Sequence, residues 1–299
     1  MTENRRVLIT GLSGFTGRYL ANELAGAGFD VYGVGSHPDT FQNYSQVGLD
    51  DKTGLRRVLA EVRPAYIVHL AAIAFVGHGD ANAFYQVNLI GSRNLLEALA
   101  ESGLPLRSVL LASSANIYGN AAGGVLTEGS LPNPANDYAV SKYAMELMAK
   151  LWIPRLPITI ARPFNYTGVG QSADFLLPKI VGHFRSKAAH MELGNLDVWR
   201  DFSDVRAVVN AYRRLLERAP VGAVVNVCSG NLYSLREVVA MATQLSGHRL
   251  DVRVNPAFVR ANEVKSLCGD ASCLRSIIGD WSCPPLSDTL SWMLEAPVA

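Results

Sequence analysis

The sequence predicts an α/β fold, a doubly wound parallel sheet (Rossmann) with a smaller C-terminal lobe. Two patterns lead to it. From Val7 to Ala161, short β-rich apolar runs alternate with stretches of helical periodicity, an order that implies right-handed βαβ crossovers. A glycine-rich turn also joins the first run to the first helical stretch, where such sheets open their crevice. With 299 residues, the chain can bury a large core in one sizeable domain or two lobes.

Val7-Leu8-Ile9-Thr10 reads as the first strand and Arg18 to Leu24 as the first helix, stopped by Gly26 and Gly28. Val31 to Val34 is the second strand. A helix is expected from Leu55 to Val62, with Asp51 placed to support its N-terminus. Tyr66 to Leu70, Ser108 to Ser113 and Ile158 to Ala161 are the next strands; the long helix Ala83 to Leu99 and the Tyr138 helix lie between them. After Arg162 the regularity breaks down. A helix is expected from about residue 177 to 184 and another over 205–217, with Val224 to Val227 returning to the main sheet. Beyond Tyr233, short helices and a Val252-Arg253-Val254 strand suggest a lobe woven from separate pieces. The expected division is a dinucleotide-binding domain of residues 1–164 plus about 204–230, and a substrate lobe of about 165–203 plus 231–299.

Composition narrows the function classes. The chain is 49% hydrophobic and 18% charged, with a net charge of +1, which points away from nucleic acid and membrane surfaces as partners. No apolar run reaches bilayer length. Met1 to Arg6 leads straight into a strand rather than a signal peptide, so the cytoplasm is the expected compartment. Cys228, Cys268, Cys273 and Cys283 lack a CxxC spacing; reduced thiols are expected, and no metal site.

The turn Gly11-Leu12-Ser13-Gly14-Phe15-Thr16-Gly17 lets backbone approach a pyrophosphate and leaves that anion at a helix N-terminus. The alternative is a turn made only for packing. An NAD binder usually offers an acid to the ribose 2′-OH at the end of the second strand. Here Gly33-Val34-Gly35-Ser36-His37 has none. Ser36 and His37 leave room for a 2′-phosphate that Arg18 could reach, so NADP(H) is preferred, with NAD(H) also possible. Tyr138 and Lys142, four residues apart, share one helix face. An ammonium there favours the phenolate. The same spacing also suits a plain amphipathic surface.

Gly11/Gly14/Gly17, His69-Leu70-Ala71-Ala72, Asn88, Ser113-Ser114-Ala115-Asn116-Ile117-Tyr118-Gly119 and Tyr138-x-x-x-Lys142 occur in an order that resembles the extended short-chain dehydrogenase/reductase family, in its nucleotide-sugar branch. The resemblance covers nearly the whole chain. It implies that Tyr138 exchanges the proton, that Lys142 binds the nicotinamide ribose and lowers the tyrosine pKa, and that Ser114 hydrogen-bonds the reacting oxygen, with Ser113 the less favoured hydroxyl. It further implies a cofactor site of Gly11, Gly14, Phe15, Thr16, Gly17, Arg18, Ser36, His37, Leu49, Leu70, Ala71, Ala72, Tyr138, Lys142 and Pro163, with Asn88 as a structural hydrogen bonder. Gly48 stands where the family usually has Asp.

Residues 162–171 and 194–205 look most like the members acting on GDP-mannose and its 4-keto-6-deoxy derivative, which implies a GDP-linked rather than dTDP-linked sugar. The family, with the apolar content of the helix Ala83 to Leu99 and of the Tyr138 helix, suggests a homodimer. Asn165, Lys179, Arg200 and Arg260 then match diphosphate-binding positions, where arginine supplies a bidentate fork. Glu263 and Ala207 stand where relatives often carry Asp. The family's dehydratases need a further acid two residues after the catalytic hydroxyl; this chain has Asn116, a substrate contact or turn former that cannot exchange the proton. The expectation is therefore a reductase of a 4-keto-6-deoxy nucleotide sugar. The alternatives are a 4-epimerase, a 4,6-dehydratase and, remotely, a dinucleotide sensor without turnover.

Overall fold

The structure, a computed structural model, describes residues 4–76, 79–119, 124–259 and 264–297. In chain order the first half holds β1 (Arg6–Thr10), α1 (Phe15–Gly26), β2 (Asp30–Gly35), β3 (Tyr44–Gln46), α2 (Lys52–Val62), β4 (Tyr66–His69) and α3 (Ala81–Phe84). A π-helical stretch (Tyr85–Gly91) carries α3 on into α4 (Ser92–Glu101); β5 (Ser108–Ala112), a 3₁₀ turn (Ala115–Tyr118), β6 (Val125–Leu126) and α5 (Asp137–Lys150) follow. The second half runs β7 (Ile158–Pro163), β8 (Asn165–Thr167), α6 (Leu176–Arg185), β9 (His190–Leu193), β10 (Trp199–Asp204), α7 (Val205–Arg218) and β11 (Val224–Val227). It ends with β12 (Leu232–Ser234), α8 (Leu235–Ser246), β13 (Asp251–Val254), β14 (Ser266–Gly269), α9 (Ser272–Ile278) and α10 (Leu286–Glu295).

Seven strands form a parallel sheet in the order β11-β7-β5-β4-β1-β2-β3. Strand side chains alternate between faces, and β1 feeds both. Val7 and Ile9 join Leu20 and Leu24 of α1 and Val208 and Leu215 of α7. Leu8 turns the other way, to Leu55 and Leu59 of α2, Leu95 and Leu99 of α4 and Met145 of α5. The strand order reverses between β1 and β4, which opens a crevice beyond their C-terminal ends. A third apolar cluster lies among α6, α8, α10, β9 and β10, centred on Ile180, Val238 and Leu290.

The expected strands and helices of the first half are present with ends shifted by a few residues. The helices and the Ile158 strand run longer, while the strands expected to end at Leu70 and Ser113 stop one residue short, at His69 and Ala112. Asp51 caps α2, accepting from the Gly54 amide at 2.8 Å. Strand β3, at the sheet edge, was not expected; it is three residues long and pairs only with Gly33 to Gly35. After Arg162, a mixed sheet orders β12-β10-β14-β6, with β8 beside β10. β10 pairs through Trp199 and Arg200 with β14 and through Phe202 to Asp204 with β8. Pairings this short leave no alternating pattern for a sequence to display.

Candidate active site

Three chain segments meet at the crevice. The first is the glycine turn, whose tightness is dictated by close approach. A Cβ on Gly17 would lie 2.3 Å from the Gly11 carbonyl oxygen, and one on Gly11, where φ is +74°, 2.8 Å from the Ala71 nitrogen. A side chain on either would push the turn off the sheet. Phe15, Thr16 and Gly17 then begin α1, which has no side-chain cap at Gly14. Its first amides are therefore free to meet an anion.

The second segment follows β5. Ser114 has extended backbone, and its Oγ accepts from the Asn116 amide at 3.2 Å, capping the 3₁₀ turn. The third is α5, started by Asn136, whose side chain accepts from the Ala139 amide at 2.9 Å. Tyr138 and Lys142 point inward from one face of that helix and are buried, at 7% and 4% exposure. Together these segments enclose a cleft of about 480 Å³ lined by Gly11, Gly14, Phe15, Thr16 and Gly17, by Leu70 and Ala72, by Ser113, Ser114 and Asn116, by Tyr138 and Lys142, and by Pro163 and Asn165.

Burial pushes the Tyr138 phenol up to about 12, while a hydrogen bond with Ser114 pulls the other way. Burial presses the Lys142 ammonium down to about 8, opposed by Glu146. The expected lowering of the tyrosine by the lysine is thus not what the geometry produces. Lys142 Nζ donates instead to the Ala112 carbonyl at 2.8 Å, and enclosure of the phenol dominates. The site therefore presents a protonated phenol, a hydroxyl against it and an ammonium one turn away.

Behind the cleft, Thr10 Oγ1 lies 2.6 Å from His69 Nδ1, and Nε2 lies 2.8 Å from Ser92 Oγ, which donates to the Asn88 carbonyl. Burial holds His69 down to about 3, so the ring is neutral. Asn88 has the structural role expected of it. It accepts from the Ile73 amide and donates to the Ile73 carbonyl and to Ser141 Oγ, tying α5 to the segment after β4. Ala71 is held the same way, its amide donating to Thr10 at 3.2 Å.

Other expected site residues lie elsewhere. Leu49 packs toward α4, where a Cβ on Gly91 would touch its side chain, and its carbonyl accepts from Asn94. Lys179 donates to the Glu192 carbonyl and sits 4.7 Å over the Phe258 ring. Arg200 Nη1 donates to the carbonyls of Trp199 and Lys265. Neither cation is among the residues lining the cleft. Arg260 and Glu263 fall outside the described residues. Ala207 is buried on α7, where Trp281 donates to its carbonyl.

Ser36 and His37 are exposed and contact each other at 3.1 Å. Arg18 is ion-paired at 2.5 Å with Asp39, whose carboxyl the Phe41 amide and Arg18 hold below the usual carboxylate range. Asp39 escaped the sequence reading because it lies beyond the strand end. At Gly48 a Cβ would lie 2.3 Å from Asp50 Oδ1, so the Asp50 side chain crowds any side chain at that position.

The sequence reading also missed Tyr166, Gln171 and Phe175 in the cleft wall. Tyr166 stacks on Phe15 with ring centroids 6.3 Å apart, and its hydroxyl meets Thr16 Oγ1 at 2.8 Å. Asn165 Nδ2 is buried in the same wall without a hydrogen-bond partner. The tight glycine cradle, the uncapped helix start and the orphan amide all fit a dinucleotide with a polar substrate beside it.

A doubly wound sheet with a glycine turn at its switch point and a Ser-Tyr-Lys group beside it defines a dinucleotide-dependent enzyme fold. Residues 7–228 match the profile of the NAD dependent epimerase/dehydratase family. The chain belongs to that family. It is 34% identical to a GDP-6-deoxy-D-talose 4-dehydrogenase from Aggregatibacter actinomycetemcomitans, over 92% of each chain. It is 33% identical to a GDP-6-deoxy-D-mannose reductase from Pseudomonas aeruginosa, over 92% of this chain and 91% of the other. A solved protein from Burkholderia cenocepacia J2315, named as a candidate epimerase, superposes with a TM-score of 0.92 at 52% identity, covering 97% of each chain. RMD from Pseudomonas aeruginosa, solved with NADPH, gives 0.85 at 31%, covering 97% of this chain and 98% of that one.

Proposed function

We propose that the protein reduces the C4 ketone of a nucleotide-linked 4-keto-6-deoxyhexose, and that its substrate is GDP-4-keto-6-deoxy-D-mannose, converted to GDP-D-rhamnose. One observation carries the choice of chemistry. Ser114, Tyr138 and Lys142 meet in the cleft, and the neighbouring position that needs a second acid for dehydration is Asn116. The relatives named for GDP-6-deoxyhexose oxidoreduction support the substrate class.

The glycine turn and the Tyr138–Lys142 face would hold a dihydronicotinamide dinucleotide, which would supply hydride to the ketone carbon when bound. Tyr138 gives its proton to the developing alkoxide and Ser114 hydrogen-bonds the same oxygen, while Lys142 is placed to hold the nicotinamide ribose. The glycine turn takes the pyrophosphate. The lobe of about residues 165–203 plus 231–299 holds the nucleotide sugar, with Asn165 donating to it. The absence of an acid at Gly35 and the presence of Arg18 at the cofactor mouth favour NADPH over NADH, Asp39 being the competitor a 2′-phosphate displaces.

A homodimer is proposed as well. Val140, Leu147 and Leu151 are exposed at helical spacing along α5, beside exposed Ile90 of the long helix.

Incubation with GDP-4-keto-6-deoxy-D-mannose and NADPH, with the product identified by NMR, tests the reading. GDP-D-rhamnose formed with one NADPH consumed per sugar is expected. The opposite C4 configuration would move the chain to the 6-deoxytalose branch. The second reading, a nucleotide-sugar 4-epimerase, is favoured by the Burkholderia structure. Stoichiometric NAD extracted from the protein, with no NADPH consumption, would establish it instead.

A further inference from the structure

A buried ion pair lies directly behind the catalytic group, and neither of its members lines the cleft. Glu146, one turn beyond Lys142 on α5, is fully buried, and Arg162 at the end of β7 is 5% exposed. They form a fork: Arg162 Nε donates to Glu146 Oε1 at 2.9 Å and Nη2 to Oε2 at 2.6 Å. A pair like this is weak evidence of added stability, because well-packed apolar residues often do as well. What it touches is more informative.

Glu146 Oε1 also accepts from Ser113 Oγ at 2.5 Å. Arg162 Nη1 donates to the Tyr118 hydroxyl at 2.8 Å, and that hydroxyl donates to Asn226 Oδ1 on β11 at 2.7 Å. The segment from Ser113 to Tyr118 is thus fixed at both ends, and both fixings converge on one guanidinium. Ser114 and Asn116, which face the cleft, are suspended between them. Lys142, whose ammonium donates to the carbonyl just before this segment, is on the same side of the clamp.

We propose that the Glu146–Arg162 pair is the positioning device of this site, clamping residues 113–118 so that Ser114 and Asn116 are held against Tyr138, and setting the field around Lys142. The inference rests on the proposed reductase function for its kinetic consequences. Two titratable groups act with Lys142 here: Glu146, one turn along its own helix, and neutral His69 from β4. Glu146 is the charge that keeps the ammonium protonated against its burial.

The test compares wild type, Glu146→Gln and the double variant Glu146→Met/Arg162→Met. Stability is read by urea unfolding, kcat and KM across pH, and Lys142 protonation by competitive acetylation with peptide mass spectrometry, which needs no sugar. Glu146→Gln should lower kcat at least tenfold with KM little changed. It should also move the alkaline limb of kcat, and the Lys142 titration, down by about one pH unit, a tenfold loss of charged lysine above the limb. The double variant should regain wild-type stability while kcat and the titration stay displaced.

Recovery of stability, kcat and titration together in the double variant would reduce the pair to a structural filler and overturn the proposal. Wild type inactive on the ketosugar, with the Lys142 titration still displaced in Glu146→Gln, would instead defeat the functional reading and leave the clamp standing. A titration unchanged in Glu146→Gln would overturn the field assignment whatever the substrate proves to be.

Discussion

Tyr138 is held as a phenol because its ring is enclosed, and for the proposed reaction that has kinetic consequences. Enclosure favours the neutral form of any acid, so in the reducing direction the proton to be donated is already present. Tyr138→Phe should cost on the order of 10²–10⁴ in kcat while leaving cofactor affinity within a few fold; dye-free NADP⁺ binding by calorimetry checks the second half. Lys142, held near 8, loses its charge as pH rises through that value, so kcat should fall on the alkaline side of about 8. His69 acts on stability instead. Its folded pKa of about 3 lies below the 6.5 of a free imidazole, so the unfolded chain gains a proton first as pH falls. Stability present at pH 7 should drop by about 2 kcal/mol by pH 5 from this residue alone. Urea unfolding at the two pH values should show that drop in wild type and its absence in His69→Gln. At this scale the sequence was an uneven guide. It marked Tyr138 and Lys142 by spacing and Ser114 by family resemblance, but a pKa is set by what encloses a group, and enclosure is not written in a spacing of four residues.

At the scale of elements, the glycine turn and α5 bear the burden. The turn could be read because close approach leaves glycine no substitute. Gly17→Ala would drive a methyl to within 2.3 Å of the Gly11 oxygen, and dinucleotide binding should be abolished in calorimetry while far-UV circular dichroism keeps the wild-type shape. Asn136 starts the helix that carries Tyr138 and Lys142. Asn136→Ala should lower unfolding free energy by about 1 kcal/mol, with a matching fall in the urea midpoint. Lys179 and Arg200 illustrate where element-level reading stops. Their motifs were recognisable, but the short pairings around β10 that place Arg200 were not, and Lys179 and Arg200 donate to backbone carbonyls without lining the cleft. Asp39 was overlooked for a related reason: a turn after β2, not the strand end, brings its carboxylate back to Arg18.

Across the whole molecule, the parallel sheet was legible from its alternation of strand and helix, because burial on both faces makes each strand a continuous apolar run. The mixed sheet was not, since its pairings are two or three residues long and join distant segments. Assembly belongs to this scale too. Leu147→Glu combined with Leu151→Glu should convert a dimer to a monomer in light scattering, and a wild-type mass of one chain would remove that proposal. The central claim, that the cleft reduces a ketosugar through Tyr138, is tested most directly by following NADPH absorbance with GDP-4-keto-6-deoxy-D-mannose for wild type and Tyr138→Phe side by side. Sugar-dependent consumption of one NADPH per sugar, slowed at least a hundredfold by the substitution, is the predicted result. No sugar-dependent consumption by wild type, or equal rates for the two proteins, would contradict it.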